Sequence, residues 1–466
     1  MAEIPKNEIN KQKIIMRRIC ETSVAMPNKP MAYIDTYGCQ QNESDSEKLR
    51  GMLAEMGYGM TGDEFLADVI VINTCAIREN AENRVLGNVG ALVHAKKAKP
   101  SQIIIFCGCM AGIPENVEKI RHSYRHVDLI FSPNELWRFP EMLQTALMSK
   151  SLIIHSGITE GAIAEGLPLM RMGSVKAWLP VMYGCDNYCS YCIVPYVRGP
   201  ERSRRPDRIL DEARSLVAGG YKDITMLGQN VNSYGAGLAE KTGFPELIHG
   251  INGIEGEFLI RFMTSHPKDA SKELFNAMAE CEKAARHIHL PFQSGSDRIL
   301  ELMNRGYTHV DYMEKIYMAR RFMPDIVITS DVIVGFPGET DDDFDDTLKL
   351  VDEAQFDAMF TFIYSKRPGT SAALLDDTVS REEKQIRFDR LIKLQNAISD
   401  DKHKRYVGST VKVLADEAVD DAEYPLRART NGGRLVHLRG NADLIGSFTD
   451  AKITGCNTWS LFGETE

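Results

Sequence analysis

The sequence predicts an α/β protein in three parts: an N-terminal open parallel α/β sheet domain, a central partial (βα)6 barrel, and a small C-terminal β-barrel. Three observations predict it. From residue 31 to 150, apolar runs such as Val69-Ile70-Val71-Ile72 alternate with helical segments, the pattern of a parallel sheet covered on both faces. Between 174 and 402 the alternation resumes for six strands, too few for a closed eightfold barrel. From 403 to 466 helical spacing gives way to short strands with Gly and Asn turns.

Composition narrows the class. The chain has 466 residues, a length suited to about three domains. Its 43% hydrophobic and 26% charged content is ordinary for a soluble globular protein. No apolar run approaches the ~18 residues of a membrane span, so no membrane association is expected. Residues 1–20 are charged and lack the apolar core of a secretory signal. Ten cysteines without such a signal point to a reducing, cytoplasmic setting and to metal or redox use. The net charge of −10 argues against wholesale nucleic-acid binding but permits a local basic patch.

Residues 1–30, with Pro27 and Pro30 at their end, read as a flexible extension that holds at most a short helix, and Cys20 in it has no role. In the 31–150 domain, strands are expected over 32–37, 68–73, 103–106 and 127–131, and helices over 45–56, 77–99 and 135–148. Cys39, Cys75 and Cys109 each follow one of the first three strands. The carboxyl ends of parallel strands share one edge, where open α/β sheets bind ligands. Three thiols 36 and 34 residues apart in sequence can therefore converge. The competing reading is three unrelated buried cysteines. Cys107 still belongs to its strand and reads as core.

Residues 151–173 lack periodicity, and Gly157, Gly161, Gly166 and Pro168 suggest a linker. In the 174–402 domain the strands are expected over 177–183, 223–227, 258–263, 286–290, 326–334 and 357–364, with helices over 206–218, 269–281, 310–321 and 340–354. Polar, Gly-punctuated loops follow five of these strands. Gly lets a ligand approach the backbone, and Ser, Gln and His offer hydrogen bonds. A helix over 381–403, with Ile386, Leu391, Leu394 and Ile398 on its apolar face, closes the barrel. The 403–466 domain is expected to carry strands over 410–415, 426–430, 435–438 and 447–454, with Cys456 in its core.

The most informative stretch is Gly184-Cys185-Asp186-Asn187-Tyr188-Cys189-Ser190-Tyr191-Cys192, at the end of the first barrel strand. Three thiolates on one short loop suit one face of a cubane iron–sulfur cluster. Three ligands leave one iron open, the mark of a reactive rather than a structural site. A zinc knuckle would need a fourth ligand nearby, and His155 and His249 are far in sequence. Downstream, Arg198, Arg202, Arg204 and Arg205 form a basic run suited to phosphates, or merely to solvent.

This stretch resembles the radical S-adenosylmethionine (radical SAM) superfamily signature, with Tyr191 as the aromatic residue before the third cysteine. The longer phrase through Ile193-Val194-Pro195-Tyr196-Val197-Arg198-Gly199 is similar to the methylthiotransferase subfamily. Tyr37-Gly38-Cys39-Gln40-Gln41-Asn42, Asn73-Thr74-Cys75 and Cys107-Gly108-Cys109-Met110-Ala111 are similar to that subfamily's N-terminal domain. Residues 403–466, with Ala428-Arg429-Thr430 and Arg434, resemble the RNA-binding TRAM domain, though Gly432-Gly433 departs from its usual polar pair.

The resemblance implies a radical SAM barrel and two 4Fe-4S clusters. Cys185, Cys189 and Cys192 would hold the one that cleaves S-adenosylmethionine, and Cys39, Cys75 and Cys109 an auxiliary one that carries sulfur. It implies that Tyr191, Gln229, Ser265, His266, Gln293 and Ser294 lie near S-adenosylmethionine or the base, and that Arg429 and Arg434, with the basic run, contact RNA. The implied reaction is methylthiolation of carbon 2 of an isopentenylated adenosine beside the tRNA anticodon, using two S-adenosylmethionine molecules per turnover. Its partners would be a tRNA anticodon stem–loop, an electron donor protein and a sulfur source, and the enzyme would be a monomer. Sister enzymes acting on threonylcarbamoyl-adenosine or a ribosomal-protein aspartate are the alternatives. A non-catalytic RNA-binding redox sensor is the alternative of another class.

Overall fold

Six parallel strands build the first sheet, in the order β2-β1-β3-β4-β5-β6. They belong to a computed structural model that describes residues 3–76, 79–149, 151–157, 161–239 and 242–465. The chain divides into two compact units. Unit 1 takes residues 1–172, 183–186 and 192–202, and unit 2 takes 173–182, 187–191 and 203–466.

In unit 1 the strands are β1 (Met31–Thr36), β2 (Gly59–Met60), β3 (Val69–Thr74), β4 (Ile103–Gly108), β5 (Leu129–Phe131) and β6 (Ile153–His155). β3 and β4 are buried along their whole length, as strands covered on both faces must be. The helices are α1 (Lys6–Val24), α2 (Gln40–Glu55), α3 (Glu79–Ala98), α4 (Pro114–Ser123) and α5 (Phe139–Met148). The expected helix start at Ile77 and Arg78 lies outside the described residues.

Two expectations are corrected here. Residues 6–24 of the supposed flexible extension form α1, whose Ile15, Met16 and Ile19 enter the same core as Leu49, Met52 and Phe139. Lys11 Nζ also meets Glu141 Oε1 at 3.0 Å. One narrow apolar stripe among many charges is enough to dock a helix. The supposed linker opens with β6, which adds in parallel to β5 at Leu129↔Ile153 and extends the sheet.

In unit 2 six parallel strands follow in chain order. β7 (Lys176–Pro180), β10 (Asp223–Leu227) and β11 (Leu259–Phe262) form one ladder, and β12 (His287–His289), β13 (Val327–Val334) and β14 (Ala358–Ile363) a second. A parallel bridge between Ile260 and Ala284 joins them. The remaining short strands, β8 (Met182–Tyr183) and β9 (Arg202–Ser203), bracket the cysteine loop in sequence. The helices are α7 (Pro206–Ala218), α8 (Phe244–Asn252), α9 (Lys272–Glu280), α10 (Asp297–Leu302), α11 (His309–Phe322), α12 (Asp341–Ala354) and α13 (Arg381–Lys404). One continuous core fills the half-barrel, including Phe244, Phe275, Phe292, Tyr312 and Phe356. Burying each such side chain contributes about 1.5–3 kcal/mol. On α13 the buried face is Arg387, Leu391, Gln395 and Ile398, with Leu394 partly buried. Ile386 is exposed, because it lies off this face by helical spacing.

A separate core organises the C-terminal barrel: Val413, Leu426, Val436, Ile453 and Leu461. Its strands are β15 (Thr410–Ala418), β16 (Leu426–Thr430), β17 (Leu435–Arg439), β18 (Phe448–Cys456) and β19 (Leu461–Thr465), closed in the order β15-β16-β17-β19-β18. The unexpected fifth strand closes it by pairing parallel to β17. Among the described residues, no helix is long and apolar enough to cross a membrane.

Candidate metal and cofactor sites

In unit 1, strand register brings three cysteines to one sheet edge. β1, β3 and β4 are neighbours, with Thr36 opposite Asn73 and Thr74 opposite Gly108. Cys75 and Cys109 are thus the next residues beyond a paired position, and Cys39 follows β1 by three. A reciprocal clamp holds the Cys39 turn against β3. Asn42 Nδ2 donates to Asn73 Oδ1 at 3.2 Å and to the Thr74 carbonyl at 3.0 Å, and Asn73 Nδ2 donates to the Asn42 carbonyl at 2.9 Å. The asparagines of the two sequence phrases therefore serve placement.

Two glycines permit the close approach. Gly38 has φ +138°, and a Cβ there would lie 2.7 Å from Cys75 Cβ. Gly108 has φ +89°, and a Cβ there would lie 2.4 Å from the Thr74 carbonyl oxygen. Both conformations are cheap only for glycine. Cys75 and Cys109 are buried and Cys39 is half-buried. Burial pushes the Cys109 thiol up, while Arg198 pulls it back. Cys107 lies inside β4 and faces the other core, as expected.

The segment after Cys192 also belongs to unit 1. Ile193 and Val197 of the short helix α6 (Val194–Arg198) enter the core that holds Cys109 and Met110. At the loop entrance Gly184 has φ +74°, and a Cβ there would fall 2.0 Å from the Pro200 oxygen. The Cys185 amide donates to the Gly199 carbonyl at 3.2 Å.

In unit 2, residues 187–191 are held by the turn after α10. The Ser190 amide donates to the Met303 carbonyl at 2.9 Å, and Asn304 Nδ2 donates to the Tyr188 carbonyl at 3.0 Å. Arg305, fully enclosed, donates to Cys189 Sγ at 3.3 Å, to the Pro291 carbonyl at 2.9 Å and to Tyr307 Oη at 3.0 Å. Burial works against its charge, but Tyr191, Tyr307 and Cys189 hold its pKa well above the ordinary arginine value. Tyr191 itself is half-buried beside Met303, Phe336 and Tyr364.

The loops after the barrel strands carry the other candidates. Gln229 follows β10, Ser265 and His266 follow β11, and Gln293 and Ser294 follow β12. Ser265 Oγ, His266 Nε2 and Gln293 Oε1 are buried without a hydrogen-bond partner. Buried polar atoms are normally paired, so these three are open to hydrogen bonds from a ligand. His266 Nδ1 accepts from the Lys268 amide at 3.3 Å, which leaves Nε2 to carry the proton. Burial, then Arg305 and Lys268, lowers its pKa to about 2, so it stays neutral. Among the described residues, four of the five non-glycine positions with positive φ, Tyr188, Thr264, Gln293 and Asn304, lie in these segments, and such strain concentrates at functional sites. By contrast, Ser294 Oγ accepts from the Ser296 amide at 3.3 Å. In the fifth loop Glu339 and Thr340 serve Gly335 and the α12 capping box.

Among the described residues, no group of three or more His, Cys, Asp or Glu side chains is arranged for a single metal ion. A single ion would draw its thiolates to within about 4 Å of one another, since each lies about 2.3 Å from the metal. The three candidate donors at the sheet edge are thiols, with the buried Arg198–Asp45 pair beside them, a set that suits an iron–sulfur cluster.

Residues 31–132 match the Uncharacterized protein family UPF0004, residues 179–351 the Radical SAM superfamily and residues 404–465 the TRAM domain. A tRNA-2-methylthio-N(6)-dimethylallyladenosine synthase of Acetivibrio thermocellus is 49% identical over 93% of this chain and 91% of its own length. The chain belongs to this synthase family. The synthase of Clostridium novyi is 47% identical over 93% of this chain and 96% of its own length. That of Thermoanaerobacter pseudethanolicus is 46% identical over 99% of this chain and 98% of its own. Membership in the Radical SAM superfamily brings an iron–sulfur cluster and S-adenosylmethionine with it. The fold also matches solved structures. The radical S-adenosylmethionine methyltransferase TsrM from Kitasatospora setae superposes with TM-score 0.54 at 12% identity, over 74% of this chain and 75% of that one. The cobalamin-dependent radical enzyme OxsB superposes with TM-score 0.51 at 15% identity, over 79% of this chain and 56% of that one.

Within this family fold, four of the six arginines expected to contact RNA are buried. Arg198, Arg202, Arg204 and Arg434 are only 4%, 6%, 6% and 8% exposed. Arg198 pairs with Asp45 at 3.0 Å, and Arg202 donates to the Arg198 and Pro200 carbonyls. Arg204 pairs with Glu212 at 2.8 Å. Arg434 pairs with Asp357 and ties the C-terminal barrel to the half-barrel, alongside Arg261, which reaches the Asn431 carbonyl at 2.7 Å. Arg205 is exposed beside Asp207, and Arg429 is half-exposed beside Asp416.

Proposed function

We propose that the protein is a tRNA methylthiotransferase that places a methylthio group on carbon 2 of N(6)-dimethylallyladenosine next to the anticodon. The near-full-length likeness to synthases of that name carries this reading. The target carbon bears an unactivated aromatic C–H that acid–base chemistry does not remove, so cofactors carry the hard step. Cys185, Cys189 and Cys192 hold one 4Fe-4S cluster, and Cys39, Cys75 and Cys109 hold a second. When bound, these groups supply the electron that cleaves one S-adenosylmethionine and the sulfur that a second S-adenosylmethionine methylates.

The chain's own residues bind and orient. Arg305 fixes the Cys189 side chain and puts a desolvated positive charge beside it. Ser265 Oγ, neutral His266 Nε2–H and Gln293 Oε1 offer hydrogen bonds to S-adenosylmethionine or the base, and Tyr191 and Gln229 complete that set. Arg205 and Arg429, the accessible arginines, contact the anticodon stem–loop. An electron donor protein and a sulfur source complete the reaction, and the enzyme works as a cytoplasmic monomer.

Cysteine variants test the assignment. Cys185→Ala, Cys189→Ala or Cys192→Ala is expected to abolish reductant-dependent 5′-deoxyadenosine. Cys39→Ala, Cys75→Ala or Cys109→Ala is expected to leave it and to stop methylthiolation. Full methylthiolation by Cys39→Ala overturns the second ligand set.

A further inference from the structure

The sequence offers Arg198 as an RNA contact, but its burial forbids that role. Its guanidinium lies inside unit 1, 4% exposed, at the end of α6 and six residues beyond Cys192. Nη2 donates to Asp45 Oδ2 at 3.0 Å, and the guanidinium lies within the electrostatic reach of the Cys109 and Cys39 thiols. Asp45 is shared: Lys48 Nζ stands 4.0 Å from its other oxygen, and Gln41 Nε2 donates to it at 3.3 Å. One carboxylate thus faces two cations close to the candidate thiols. A buried cation gains from nearby negative charge, which the thiolates of a cluster supply. Arginine rather than lysine suits the place, because its rigid planar fork can hold the carboxylate while another edge faces a sulfur.

We propose that Arg198, braced by Asp45, is a positioning residue for the auxiliary cluster: it orients Cys109 and sets how readily that cluster accepts an electron. The inference rests on the reading that Cys39, Cys75 and Cys109 hold a cluster. Hydrogen bonds and charge at cluster sulfurs are established levers on reduction potential. A merely structural ion pair between α6 and α2 would affect stability and leave the potential alone.

The test uses the full-length chain with Cys185, Cys189 and Cys192 all replaced by Ala, which leaves only the auxiliary thiols. After anaerobic reconstitution, bound iron in this background tests the underlying reading by itself, and its absence removes the reading and the inference together. Potentiometric titration followed by electron paramagnetic resonance then compares Arg198→Met, Arg198→Lys and Asp45→Asn. Arg198→Met is expected to lower the midpoint so that the reduced-to-oxidised ratio at fixed potential falls about tenfold, about 59 mV for a one-electron couple. Arg198→Lys is expected to recover part of the shift, and Asp45→Asn to move the midpoint the opposite way. Iron retained with unchanged midpoints in Arg198→Met and Asp45→Asn overturns the proposal. Where Arg198→Met fails to fold, the midpoint of Asp45→Asn decides alone: raised supports, unchanged overturns.

Discussion

Arg305 binds a carbonyl, a phenol and the Cys189 sulfur from one enclosed guanidinium. Supports of this kind around a metal ligand typically cost 10–100-fold when removed. Arg305→Met is therefore expected to lower reductive S-adenosylmethionine cleavage by about 10–100-fold, measured as 5′-deoxyadenosine. Arg305→Lys should recover little of it, since an ammonium cannot span those acceptors at once. Nothing near Arg305 in sequence signals this role: it sits between Asn304 and Gly306, far from the cysteine loop. The phrases that carry the six candidate cysteines stand out in sequence because spacing and strand ends are local features. Charge in sequence says nothing about burial, and Arg198, Arg202 and Arg204 point inward to Asp45, backbone carbonyls and Glu212.

At the scale of elements, three strand ends do the assembling. β3 and β4 run in register to Thr74 and Gly108, so Cys75 and Cys109 leave the sheet side by side. Gly108→Ala forces a Cβ against the Thr74 carbonyl oxygen at φ +89°, a strain of about 1–3 kcal/mol before the clash. The expected outcome is loss of the auxiliary iron with retention of the iron at Cys185, Cys189 and Cys192, read by iron counts in one background with Cys185, Cys189 and Cys192 replaced by Ala and another with Cys39, Cys75 and Cys109 replaced by Ala. All six half-barrel strands were legible from apolar runs. α1 and β6 were missed, because a charged amphipathic helix resembles an extension and three edge residues resemble a linker. Orphan atoms at Ser265, His266 and Gln293 were foreseeable only as polar loops; their lack of partners is a tertiary fact.

For the whole molecule, buried neutral His266 links stability to pH. Its folded pKa of about 2 lies below the ordinary 6.5, so its contribution is complete above pH 6.5 and is lost as pH falls, when the unfolded chain takes up the proton first. About 2 kcal/mol should be lost between pH 8 and pH 5, and His266→Gln should flatten that dependence in urea unfolding. The order of the three domain signatures was legible from end to end. The packing of the C-terminal barrel on the partial barrel through Arg261 and Arg434 was not: Arg434 read as an RNA contact, and nothing in sequence singles out Arg261.

The central claim is the reaction and its base, and nucleoside mass spectrometry after anaerobic turnover tests it most directly. The reconstituted full-length protein would meet S-adenosylmethionine, reductant and sulfide with isopentenylated and threonylcarbamoylated anticodon stem–loops in parallel. A methylthio mass gain on the isopentenylated substrate alone is the predicted result. Gain only on the threonylcarbamoylated one, or on neither while 5′-deoxyadenosine still forms, contradicts it.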